Sequence, residues 1–140
     1  MSRPVLAGAA ALAIAVAACS SGSEGPPSFG QQAFMTTTGA SGALRVELRT
    51  SPQPPSRGTI AAQLVVTSAT DGTPQDGLDI AIQPWMPAMN HGAIAPTITP
   101  QGNGTYLVTD LDLYMPGNWQ LRTKISGPVT DSVAPAFEIQ

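Results

Sequence analysis

Residues 85–92 read Trp-Met-Pro-Ala-Met-Asn-His-Gly. They hold the sole histidine of the 140-residue chain, two of its five methionines and one of its two tryptophans. Thioether sulfur selects Cu(I) over harder ions, and imidazole suits copper well. Pro87 pushes Met86 towards an extended or polyproline conformation. With three residues per polyproline turn, Met86 and Met89 would share one side. Met89 and His91, two apart, share a face wherever the chain is extended, and Gly92 would then let the backbone turn sharply. Tyr114-Met115-Pro116-Gly117-Asn118 repeats the order aromatic, Met, Pro. Pro116 and Gly117 suit the centre of a type II turn, with Met115 at its first corner. Met86, Met89, His91 and Met115 are therefore candidate ligands of one copper ion, Cu(I), if the two segments meet at one end of the fold. Spacing alone does not decide that.

Other chemistries find less support. One histidine without cysteine or clustered carboxylates makes a poor zinc site, which needs three or four N, S or O ligands. The acidic stretch Asp71, Asp76, Asp79 lacks calcium-loop spacing and reads as a solvated connection. There is no Gly-x-Ser-x-Gly elbow, no thiol besides Cys19, and one histidine to serve as a base, so an enzyme is not expected. A plain packing role competes with the metal. Methionine fills gaps in cores, and Trp85 could cap the end of a sandwich.

The elements that would position these residues are strands. Leu44, Val46 and Leu48 alternate with Arg45, Glu47 and Arg49, and Ile60, Ala62, Leu64 and Val66 share one face. Leu78, Ile80 and Ile82 follow the same period, as do Leu107, Leu111 and Leu113, with Asp110 and Asp112 on the other parity. Trp119, Leu121, Thr123 and Ile125 face away from Gln120, Arg122 and Lys124, and Val133, Phe137 and Ile139 complete the set. This is the period-2 signature of half-buried strands. With a weaker strand at residues 94–99, about seven result. They are separated by turn residues such as Asp71-Gly72, Asp76-Gly77, Gly127-Pro128 and the hairpin signal Asn103-Gly104. Nothing reads as a long amphipathic helix. The expected fold is all-β, an immunoglobulin-like antiparallel β-sandwich over residues 43–140. Cys19 lies outside it, so packing without a disulfide must hold it.

The N-terminus carries targeting chemistry. Arg3 precedes an apolar stretch, Val5 to Ala18, too short to span a bilayer comfortably but sized as the core of an export signal. The run Val16-Ala17-Ala18-Cys19 resembles a lipobox, in which the cysteine becomes the acylated first residue. Residues 1–18 are thus expected to be a lipoprotein signal peptide. Residues 19–42 would be a lipidated cysteine and a Ser/Gly/Pro/Thr-rich tether, with Phe29, Phe34 and Met35 able to dock on the domain. The protein is then expected in the cell envelope, anchored to a membrane by its lipid. The absence of Asp after Cys19 favours the outer membrane, facing the periplasm, in a cell that has one. Loss of Arg3 with the leader takes the formal charge from −3 to −4. There is no basic patch, so nucleic acid is not an expected partner. Charged residues are only 11% of the chain, sparse for a freely soluble domain.

Trp85 to Gly92, then Gly104-Thr105-Tyr106, then Met115-Pro116-Gly117-Asn118-Trp119-Gln120-Leu121 resemble the YtkA-like domain. That domain is similar to the FixH group linked to haem–copper oxidase assembly. The likeness covers roughly residues 44–139. Its most specific part is the Met-Pro-x-Met-x-His block followed by the Met-x-Gly-x-Trp turn. The resemblance implies an immunoglobulin-like sandwich, export or membrane anchorage, and a copper-handling role with Met86, Met89, His91 and Met115 as ligands. A protein partner in copper handling or oxidase assembly would follow. FixH-like members carry a membrane helix where this chain has a lipoprotein signal. Copper carriers of the oxidase-metallation type add a second His-x-Met pair, which this chain lacks. The competing function is a metal-free interaction module that docks on an envelope complex through the Trp85–His91 loop, with Trp85 and Trp119 as its aromatic contacts.

Overall fold

A computed structural model describes residues 25–140. The expected leader, Cys19 and the first residues of the expected tether lie outside the described residues. Alternation of apolar and polar side chains translates into ten strands in two antiparallel sheets. The first sheet runs β1 (Met35–Thr38), β2 (Leu44–Ser51), β3 (Gly58–Ser68), β7 (Thr105–Leu113), β6 (Thr97–Gly102). The second runs β10 (Ala136–Ile139), β8 (Gly117–Ser126), β4 (Asp79–Met86), β5 (His91–Gly92), with β9 (Asp131–Val133) also paired to β8. Inner faces from both sheets form one core that includes Leu48, Leu64, Val108, Leu111, Trp119, Leu121 and Ile125. No helix among the described residues is long and apolar enough to cross a membrane.

The parity expected for β2, β3, β4 and β8 is the parity observed. Four features differ, each for a local reason. The first sheet begins at Met35, not Ala43. Met35 to Thr38 pair with Leu48 to Arg45, and Phe34 packs edge-on against Phe137 with ring centroids 5.7 Å apart. Part of the expected tether is therefore an edge strand. In β7 the expected inward Leu107 is only half-buried, while Tyr106 and Val108 are buried with Leu111 and Leu113. Asp110 adopts a left-handed φ of 58°, and the register slips between Ile60↔Leu111 and Ala62↔Val108. The extra residue is a β-bulge that inverts the parity on one side of it.

The weak strand expected at residues 94–99 lies at Thr97–Gly102 instead. The Asn103-Gly104 turn, with positive φ at both residues (54° and 72°), fixes the pairing from its own end. Ile94 falls before that strand and is 81% exposed. Finally, the last expected strand is split. Pro135 interrupts it, and the Leu121 N–H donates to the Pro135 carbonyl between the β9 and β10 pairings.

Two polar clamps lock the connections. The Asp131 carboxylate, on a strand position that faces inward, accepts N–H bonds from Ser41, Ala43, Leu44 and Ser132 at 2.8–3.2 Å. It ties the β1–β2 turn to β9. Burial pushes its pKa up, but the N–H donors of Ser41, Ser132 and Leu44 and the Ser41 hydroxyl outweigh that and hold it below the usual carboxylate value. At the other clamp, the buried Tyr106 hydroxyl donates to the Gln75 carbonyl and accepts from the Leu78 N–H. Asp76 accepts from the Gly104 N–H at 2.8 Å. The acidic connection is thus pinned to the Asn103-Gly104 hairpin rather than simply solvated.

A methionine and histidine hairpin as candidate metal site

Strand β4 alternates inward Ile80, Ile82, Pro84 and Met86 with outward Ala81, Gln83 and Trp85. Pro84 has no N–H to give. Its carbonyl accepts the Ala93 N–H on the side away from β8, so β5 ends after two residues. Past Met86 the chain does not extend as polyproline. Pro87 to Met89 form one turn of 3₁₀ helix, closed by the Asn90 N–H donating to the Pro87 carbonyl at 3.2 Å. Asn90 then takes a left-handed conformation (φ 46°, ψ 46°), which reverses the chain. Proline suits the first position of such a turn, and Asn tolerates the left-handed region. The Pro-Ala-Met-Asn order carried that signal in the sequence.

The reversal sets a hairpin register in which Met86 lies directly opposite His91, and Trp85 opposite Gly92. Residues directly opposite in an antiparallel pair project from the same face, with Cβ atoms about 4.5–5.5 Å apart. A thioether and the only imidazole are therefore neighbours on the inner face of the second sheet, at its edge. Met86 is 3% exposed and His91 is exposed. Met89, at the end of the 3₁₀ turn, is 58% exposed.

The Met115 turn is at the same end. Gly117, with φ 127°, opens β8. A Cβ placed on Gly117 would sit 3.1 Å from the Met86 methyl, so the methionine packs against the turn itself. Met115 is half-buried against the core, and its carbonyl accepts the Trp119 indole N–H at 2.9 Å. The two Met-Pro segments thus lie at one end of the sandwich, with Met86 and His91 paired across the hairpin, the Met86 methyl against the turn that follows Met115, and Met89 exposed.

The tryptophans serve the frame. Trp119 is 2% exposed with its N–H satisfied, so it belongs to the core, as its parity predicts, and not to a docking surface. Trp85 is half-buried on the outer face, with the Arg122 guanidinium 4.6 Å from its ring centroid, in cation–π range. Gly92 is needed for this packing more than for a turn. A side chain there would meet the Trp85 ring and the Pro84 carbonyl oxygen within about 3 Å. Tyr114 is exposed beside Asp112, whose hydrogen bond pushes the phenol pKa up. Among the described residues there is no group of three or more His, Cys, Asp or Glu that could hold a metal. A metal here would rest on thioether donors, which narrows the choice to soft ions.

A two-sheet antiparallel sandwich with a Met/His hairpin at one end defines the class of protein. The match to the YtkA-like family model covers residues 39–124, and the chain belongs to that family. The match takes in β2 through most of β8, including every candidate ligand, and leaves out β1, β9 and β10. No curated protein and no solved structure matches the chain.

Proposed function

We propose that this YtkA-like domain binds Cu(I) through Met86, Met89, His91 and Met115, and that Cys19 lipidation tethers it to the cell envelope, where it buffers the ion or passes it to a partner. The observation that carries the metal reading is the hairpin register that sets Met86 against His91, with the Met86 methyl on the turn after Met115. Three thioethers and one imidazole form a donor set that favours Cu(I) over zinc, calcium or magnesium. The tether reading rests on Val16-Ala17-Ala18-Cys19.

A metal-free docking module is the second reading, favoured by the exposure of Met89 and Ile94 on the same connection. Anaerobic titration of the domain with Cu(I), in competition with a chromophoric Cu(I) chelator, separates the two. One ion bound per chain, lost on combined Met86→Leu and His91→Ala substitution, is the expected result. A chain that takes no Cu(I) from the weakest chelator leaves the docking module.

A further inference from the structure

Burial across the four donors is graded. Met86 is fixed between the core and Gly117, Met115 is half-buried, and His91 is held in β5 by pairing. Met89 alone sits on a turn that buries no residue and that one backbone bond closes. A second observation concerns charge. Between Asp79 and Asp110 the sequence carries no Asp, Glu, Lys or Arg, and the β4–β5 hairpin beyond its first residue falls in that run. Long-range charge steering of a partner needs a charged patch, and this run supplies none.

Resting on the Cu(I) reading above, we infer that Met89 is the exchange ligand of the site. It is the donor that swings away to open one coordination position, through which a soft thioether or thiol donor of a second molecule takes or supplies the ion. Met86 and His91 stay in place because packing and strand pairing hold them. No electron moves: Cu(I) stays Cu(I), one Cu–S bond breaks at Met89 and one forms to the incoming donor. The tip of the hairpin itself is uncharged, with Arg122 over the Trp85 ring on the outer face and Ile94 two residues beyond β5.

Stopped-flow transfer of Cu(I) from the whole chain, purified in detergent, to a chromophoric chelator tests this. In the wild type the rate should level off as chelator is raised, because release of Met89 precedes attack. In Met89→Leu it should be faster and rise linearly with chelator, since the position is already open. A second readout avoids kinetics. Dilute peroxide should convert Met89 to the sulfoxide before Met86, because thioether oxidation follows exposure, and loading with redox-inert Ag(I) should protect Met89. Equal transfer kinetics in wild type and Met89→Leu, or Met89 oxidised as fast with Ag(I) as without, overturns the exchange role while leaving the copper site standing. A chain that binds neither ion overturns both.

Discussion

Two side chains concentrate the chemistry at the residue scale, His91 and Asp131. Protons compete with copper for an imidazole but not for a thioether. Cu(I) affinity should therefore weaken in acid without vanishing, and His91→Ala should flatten that dependence while leaving thermal stability nearly unchanged, since His91 is exposed. A variant whose affinity keeps the wild-type pH dependence would remove the imidazole from the site. Asp131 works on the fold. Its folded pKa lies below the unfolded value of about 3.9, so its stabilisation is fully present above that value and is lost as pH falls through the lower, folded one. Asp131→Asn keeps one acceptor for four N–H donors and should cost roughly 2 kcal/mol at neutral pH, as lost charge-assisted bonds do. The variant's denaturation midpoint should also be less sensitive to acid than that of the wild type below the ordinary carboxylate value. The signal was present in the sequence, because Asp131 shares the inward parity of Val133. A carboxylate at an inward position can be read as buried. Three of its four N–H partners come from residues 41–44, about ninety positions away, and cannot be.

The element that makes the site is the β4–β5 hairpin, and its geometry depends on a residue that donates nothing. A Cβ at Gly92 would strike the Trp85 ring and the Pro84 carbonyl oxygen. Gly92→Ala should therefore push β5 off β4, separate His91 from Met86 and weaken Cu(I) binding, while the core beneath stays folded. Overpacking of this kind costs about 1–3 kcal/mol. Calorimetry alongside the chelator competition checks it, and wild-type affinity in Gly92→Ala would mean the hairpin register does not matter. Strand parity was legible wherever a strand is regular, as in β2, β3, β4 and β8. It failed in β7, where the Asp110 bulge inserts one residue, and in β6, where the Asn103-Gly104 turn sets the register from the far end. The donors of the site were legible by residue type. Their grouping was not, because it depends on a 3₁₀ turn and on which loops share an end of the sandwich. Read from local preference alone, the same Pro87 suggests polyproline, whereas the neighbouring Asn90 and the paired β5 select a reversal.

At the scale of the whole molecule, a small sandwich without an internal disulfide carries few charges and one cysteine. Acylation of Cys19, as proposed, would account for that cysteine and for a surface that does not have to keep the protein freely dissolved. Mass spectrometry of the N-terminal peptide from cell envelopes should find Cys19 as the first residue, carrying acyl chains. Cys19→Ser should accumulate uncleaved or be released from the membrane. An unacylated wild-type protein in the soluble fraction after export would contradict the tether.

The family match takes in all four candidate donors and stops before β9 and β10. X-ray absorption at the copper edge, on the chain loaded with one equivalent of Cu(I), tests that site most directly. A Met/His site should give a shell of thioether sulfur with one imidazole nitrogen, sulfur diminished in Met86→Leu and the imidazole signature absent in His91→Ala. A shell of nitrogen and oxygen alone, unchanged by either substitution, would contradict it.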